Sequence, residues 1–123
     1  PSVKITYPWK LTLGDYAWVG DDAVLYTLGE ITIGANSVVS QKCYLCTGSH
    51  DFMSPHFDIT ASPVVIGEKC WLATDVFVAP GVSVGDGTVV GARSSVFKSL
   101  PANKICRGNP AVVIRERVET EKL

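Results

Sequence analysis

The sequence predicts an all-β fold, a solenoid in which short strands and corners repeat to build stacked coils. Two periodic features and two interruptions point to it. Aliphatic residues recur every six positions: Leu13, Val19 and Leu25; Ile33, Val39 and Leu45; then Ile66, Leu72, Val78, Val84, Val90 and Val96. The fifth position of each unit is restricted as well, reading Ala17, Ala23, Ser37, Cys43, Cys70, Val76, Val82, Thr88 and Ser94. The register lapses between Leu25 and Ile33 and again between Leu45 and Ile66.

A period of six is neither a helix period nor plain strand alternation. It suits a short strand followed by a corner. The aliphatic residue then points inward to fill the core, and the small residue also faces inward where space is tight. Coils of this kind pair edge to edge at strand spacing, and each needs its neighbours to bury its core. Glycine follows the aliphatic residue at Gly14, Gly20, Gly34, Gly67, Gly85 and Gly91. Glycine or another small residue beside the corner is expected to tolerate unusual dihedrals.

The first interruption adds two residues around Leu28-Gly29-Glu30. The second runs from Gly48 to Pro63 and is polar, aromatic and punctuated by proline, the composition of a protruding loop. Residues 1–114 are therefore expected to form one β-helix domain with a loop insertion at about 48–64. The charge-rich residues 115–123 are expected to form a tail, as a short helix or a frayed end.

The bulk composition narrows the function classes. The chain has 123 residues, enough for one domain, and 46% of them are hydrophobic, which excludes a disordered chain. A formal net charge of −1 argues against nucleic-acid binding. No apolar run approaches the roughly 20 residues of a spanning helix, so no membrane insertion is expected. Lys4 and Lys10 flank a stretch broken by Pro8, which does not read as a signal peptide. The expected location is the cytoplasm. The first residue is Pro1 rather than Met, as expected of a piece of a longer chain.

Four cysteines are present. Cys43 and Cys46 make a C-x-x-C pair, but Cys70 and Cys106 are isolated, so zinc-ligand spacing is incomplete and no metal is expected. Cys43 and Cys70 occupy the small inward slot, where a packing role is expected. There are two histidines, His50 and His56. His50 stands where the repeat gives way to the loop. Histidine as a residue type titrates near pH 6.5 and can accept a proton at cell pH, and loops on rigid scaffolds are where function concentrates. A solvated loop residue is the competing reading for His56.

Several motifs carry a resemblance. They are Pro8-Trp9-Lys10-Leu11, Gly14-Asp15-Tyr16-Ala17-Trp18, Cys43 to Asp51, Ile66-Gly67-Glu68-Lys69-Cys70-Trp71, Pro80-Gly81-Val82 and Gly108-Asn109-Pro110. On these the chain resembles the hexapeptide-repeat acyltransferase family, in particular the maltose, galactoside and nodulation O-acetyltransferases and the colanic acid biosynthesis acetyltransferases. The likeness spans about Ile5 to about Arg115. It implies a left-handed parallel β-helix of triangular section, an exception to the usual right-handed crossover. It also implies a homotrimer with active sites between subunits, acetyl-CoA as co-substrate, and a hydroxyl of a sugar or polysaccharide precursor as acceptor.

The resemblance assigns roles. His50 matches the family's general base. Trp71 falls near the acyl donor, although a large aromatic on a subunit interface is an equal reading. Ala73, Thr74, Gly91 and Ala92 match the small residues lining the donor groove. Lys98, Arg107 and Arg115 are candidates for the CoA phosphates, and Pro110 for the neighbourhood of the adenine. Val112 departs from the family, which commonly has a basic residue two after that proline. Asp51 adjoins His50 too closely to orient the same ring, so acceptor contact is expected of it. Tyr26 and Phe52, with His56 and Asp58, complete the acceptor candidates.

Two other functions stand against the transferase. A zinc hydro-lyase resembling the γ-class carbonic anhydrases needs three histidines, and this chain has two. A non-catalytic β-helix trimer with a structural role remains the alternative.

Overall fold

The computed structural model describes residues 2–118. They wind as a left-handed parallel β-helix whose strands visit three faces in turn. The first coil is β1 (Lys4–Ile5), β2 (Leu11–Leu13) and β3 (Trp18–Val19), with a 3-10 turn at Pro8–Lys10 rounding the corner after β1. The second is β4 (Val24–Tyr26), β5 (Ile31–Ile33) and β6 (Val38–Val39). The third begins with β7 (Tyr44–Cys46), leaves the solenoid as β8 (Gly48–His50) and β9 (Ile59–Ala61), and resumes as β10 (Val64–Ile66) and β11 (Trp71–Leu72). The fourth is β12 (Phe77–Val78), β13 (Ser83–Val84) and β14 (Val89–Val90). The last is β15 (Ser95–Val96), a bridge from Leu100 to Val84, and β16 (Lys104–Gly108), onto which β17 (Ala111–Glu116) folds back.

Strands on one face pair in parallel. The first face is ordered β1-β4-β7-β12-β15, the second β2-β5-β10-β13, and the third β3-β6-β11-β14-β16-β17. Phe77 pairs with Ser95 and Trp71 with Val89, a separation of three six-residue units, so each unit supplies one side of the triangle. The inward column is fully buried: Leu25, Ile33, Val39, Leu45, Leu72, Val78, Val90 and Val96 each have 0% exposure. Burying each such side chain favours the fold by about 1.5–3 kcal/mol. Leu13 keeps the register but is 49% exposed, because it lies in the lowest described coil.

The corners correct one expectation. The glycines after the aliphatic residues do not supply the unusual dihedrals. Positive φ falls two residues later, on Tyr16, Asp22, Asn36, Lys42, Lys69, Asp75 and Arg93, and on Gly81 and Gly87. A left-handed non-glycine residue costs about 1–2 kcal/mol. The preceding coil offsets this by accepting the strained residue's N–H, as in Asn36 to the Asp15 carbonyl at 2.9 Å and Arg93 to that of Thr74 at 2.9 Å. Glycine is needed beside the strand for proximity instead. A Cβ on Gly20 would lie 2.6 Å from the Gln41 nitrogen, and one on Gly34 2.6 Å from the Gly67 carbonyl carbon.

The small inward slot does more than save space. Its polar members tie one coil to the next. The Ser37 hydroxyl donates to the Gly67 carbonyl at 2.5 Å, the Thr88 hydroxyl to that of Pro101 at 2.5 Å, and the Cys43 thiol to that of Ala73 at 3.1 Å. The two expected cysteine roles therefore hold, with Cys43 and Cys70 both buried.

The protruding stretch after Leu45 is built as an antiparallel hairpin, pairing Gly48 with Ala61 and His50 with Ile59. At the other end, Arg115 and Glu116 are the last residues of β17 and not the start of a helix. β17 pairs with the edge strand β16, and Val112, Val113 and Ile114 suit a strand through their branched side chains. Residues 119–123 of the expected tail lie outside the described residues.

Candidate active site

Every lapse in the six-residue register falls at the same corner, between the first and second faces. The 3-10 turn at Pro8–Lys10, the extra residues around Leu28, and the hairpin β8–β9 belong to successive coils there. Threonines bind these insertions together. The Thr27 hydroxyl accepts the Tyr7 N–H at 2.6 Å and donates to the Tyr7 carbonyl at 3.1 Å. One coil on, the Thr47 hydroxyl accepts the Gly29 N–H at 2.8 Å and donates to the Tyr26 carbonyl at 2.5 Å. Lys10 Nζ donates to the Leu28 carbonyl at 2.7 Å. The chain can therefore bulge here without leaving these backbone groups unpaired.

A cavity of about 230 Å³ opens beside this stack, lined by Tyr26, Leu28, Tyr44 and Cys46 from the coils and by Gly48, His50 and Ile59 from the hairpin. His50 is exposed at the end of β8. Its Nδ1 lies 2.8 Å from the Phe57 carbonyl oxygen. A carbonyl can only accept, so Nδ1 carries the proton and Nε2 carries the lone pair. The neutral ring is thus prepared to accept a proton at Nε2.

The other expected acceptor residues divide. Tyr26 lines the cavity beside His50. Asp51 and Phe52 do not line it. The Asp51 carboxylate accepts the Met53 N–H at 3.0 Å and so braces its own turn, while Phe52 is 76% exposed on the hairpin tip. His56 and Asp58 also lie in the tip, where Asp58 accepts the Ser54 hydroxyl at 2.9 Å. Tyr44, Leu28, Cys46 and Ile59 were not expected. Strand alternation could have found two of them, since an inward Leu45 turns Tyr44 and Cys46 outward.

The donor candidates gather at a different corner, between the third and first faces. Trp71 is half exposed on β11, with Nε1 donating to the Ser40 hydroxyl at 3.0 Å. Ala73 and Thr74 follow it at the corner. Gly91 and Ala92 stack on them one coil up, since Trp71 and Leu72 pair with Val89 and Val90. Arg107 stacks next, close enough that a Cβ on Gly91 would lie 3.1 Å from its own Cβ. Pro110 sits at the tip of the β16–β17 hairpin. Small residues and an exposed cation thus form one continuous stripe. Arg107 is the cross-strand partner of Val112, so a guanidinium stands opposite the position where the family has its basic residue. Arg115 pairs with Ile105, toward the far end of β17, and Lys98 follows β15 at the His50 corner. Neither joins the stripe.

The first face lies between the hairpin corner that carries His50 and the corner that carries the stripe, a side of about 15–20 Å for six residues at roughly 3.3 Å per residue. His50 and Trp71 of a single chain therefore do not meet.

Coils of six-residue units with an insertion stacked on one corner define a class of protein. Residues 63–98 match the bacterial transferase hexapeptide family of six repeats, and the chain belongs to the hexapeptide-repeat transferase family. It is 87% identical over 121 residues to the Escherichia coli K12 protein that carries the name colanic acid biosynthesis acetyltransferase WcaF, covering 98% of this chain and 66% of that relative. It is 28% identical over 125 residues to the galactoside O-acetyltransferase of the same organism, covering 99% of this chain and 62% of the relative. A solved galactoside acetyltransferase in complex with coenzyme A superposes with a TM-score of 0.92 at 28% identity, over 99% of this chain and 62% of that one. A maltose O-acetyltransferase from Clostridium difficile 630 gives 0.90 at 28% identity, over 95% of this chain and 64% of that one. The chain thus spans about two thirds of the length of these relatives.

Among the described residues no helix is long and apolar enough to cross a membrane.

Proposed function

We propose that this chain transfers an acetyl group from acetyl-CoA to a hydroxyl of a sugar or polysaccharide precursor, with His50 as general base. The observation that carries this reading is the bond from His50 Nδ1 to the Phe57 carbonyl, which leaves the Nε2 lone pair to serve a cavity of sugar size. Nε2 takes the acceptor hydroxyl's proton as its oxygen attacks the thioester carbonyl. The C–S bond then breaks, and the imidazolium returns the proton to the departing thiolate. The products are an acetyl ester and free CoA, and no covalent acyl-enzyme is needed. The names of the relatives, including the coenzyme A complex, support the donor and the polysaccharide setting.

The donor stripe of Trp71, Ala73, Thr74, Gly91, Ala92, Arg107 and Pro110 fits a pantetheine arm laid against backbone with a phosphate at its charged end. Because stripe and cavity lie on separate corners, the reaction needs the stripe of one subunit beside the cavity of the next. A homotrimer supplies that arrangement three times. The reading places the protein in the cytoplasm, with its donor.

The test is acetyl transfer from acetyl-CoA to a panel of sugars and nucleotide sugars, followed by mass spectrometry. Native chain and His50→Ala run side by side. An acetylated product that falls on the order of 10²-fold or more in the variant is the expected result. Equal product from both would remove His50 from the chemistry. A chain that binds no CoA would leave the structural role.

A further inference from the structure

The nine residues from His50 to Asp58 form the tip of the hairpin, and a set of hydrogen bonds within it holds the carbonyl oxygen of Phe57 against His50 Nδ1. Asp51 N–H donates to the Asp58 carbonyl at 2.8 Å and closes the neck. Two successive turns fill the tip: Ser54 N–H donates to the Asp51 carbonyl at 3.1 Å, and Phe57 N–H to the Ser54 carbonyl at 3.1 Å. Phe57 itself has φ +50, a left-handed conformation that a bulky residue adopts only when its surroundings impose it. The constraint comes from Ser54 on one side and Asp58 on the other. The Ser54 hydroxyl donates to the Asp58 carboxylate at 2.9 Å, so the residues flanking Phe57 are tied across it. That turn aims the Phe57 carbonyl at His50 Nδ1.

We propose that Ser54 and Asp58 are positioning residues that select the Nδ1–H tautomer of His50. This rests on the reading of His50 as the base. Neither side chain lines the cavity, and neither needs to touch substrate. An unconstrained neutral histidine side chain favours the opposite tautomer, with the proton on Nε2, which cannot accept one from a hydroxyl. Holding the Phe57 carbonyl against Nδ1 reverses that preference, and the Ser54–Asp58 tie holds the carbonyl. The partner of His50 Nδ1 is a backbone carbonyl, and the two side chains act one step away from it.

The experiment uses ¹⁵N-labelled chain carrying His56→Gln, so that one imidazole remains. Long-range ¹H–¹⁵N correlation spectra at about pH 8.5, above the ordinary imidazole range, distinguish a protonated Nδ1 from a protonated Nε2. The native hairpin is expected to show Nδ1–H. Ser54→Ala and Asp58→Ala are expected to shift the ring toward Nε2–H and to lower kcat about tenfold or more, with KM for acetyl-CoA unchanged. Asp58→Asn, which keeps an acceptor for the Ser54 hydroxyl, is expected to retain both the native tautomer and most of kcat. Ser54→Ala and Asp58→Ala spectra identical to native would overturn the proposal, and so would an Asp58→Asn chain as impaired as Asp58→Ala. A tautomer change in the variants of a chain that transfers no acetyl group would uphold the brace and sink the transferase reading alone.

Discussion

Gly48 lies so close under Tyr26 that a Cβ on it would stand 2.7 Å from the tyrosine Cε2, and 2.6 Å from Leu28 Cδ1. The wall of the cavity is thus set by the absence of one methyl group at the root of the hairpin. Both obstructing atoms are ends of side chains, which can swing away. Gly48→Ala is therefore expected to fold at a cost of about 1–3 kcal/mol while displacing Tyr26 and Leu28. The acceptor KM should rise and CoA binding should stay native, as measured by initial rates and calorimetry. A variant with unchanged acceptor KM would show that the Tyr26–Leu28 wall does not touch the acceptor.

The separation of His50 from Trp71 by a side of the triangle makes a complementation test possible. His50→Ala chains keep an intact stripe, and Trp71→Ala/Arg107→Ala chains keep an intact cavity. Each variant alone is expected to be nearly inactive. Co-expressed, they should recover activity if the proposed homotrimer forms, because some interfaces of a mixed trimer then pair an intact stripe with an intact cavity. No recovery in mixed trimers of proven composition would place the whole site in one chain.

Thr47 is fully buried, and its hydroxyl serves the Gly29 N–H and the Tyr26 carbonyl at once. Thr47→Val keeps the shape and removes both bonds. Leaving a buried backbone group unpaired costs about 1–3 kcal/mol, so the urea midpoint should fall. Thr47→Ser should restore most of it. A valine variant as stable as native would mean that water replaces the hydroxyl at this corner.

Burial pushes the Cys43, Cys70 and Cys106 thiols up from the ordinary value of 9.0. In the unfolded chain these thiols ionise at their usual value, while the folded chain keeps them protonated. The unfolded state therefore loses protons first, and stability contributed by the neutral thiols declines as pH rises above about 9. Denaturation midpoints between about pH 8 and pH 10.5 should show this fall, and it should flatten in the Cys43→Ala/Cys70→Ala/Cys106→Ala chain. At neutral pH an alkylating reagent should reach Cys46 first, since it alone of the four is partly exposed.

The solenoid was legible from the sequence because burial recurs at fixed intervals. Ile33, Leu72 and Val90 are six-periodic for the same reason that they are fully buried, and no long-range information is needed to see it. Gly48 and His50 marked the departure of the hairpin in the same direct way. The glycines misled, since a close approach between coils leaves the same letter in a sequence as a left-handed turn does. The end of the chain misled too: charge-rich residues allow a helix, and only the open edge of β16 makes residues 111–116 a strand.

By itself the sequence determined the coil, its inward column and the identity of the histidine at the break. Each is a property of spacing along the chain, which hydrophobic burial translates directly into structure. Only the tertiary structure decided that the insertions stack on one corner, that Trp71 and His50 lie on different sides, and that the Phe57 carbonyl sets the tautomer of His50. Those relations join residues whose separation in sequence carries no period, through backbone atoms that every residue possesses. No residue type announces them, and they exist only once the coils have closed.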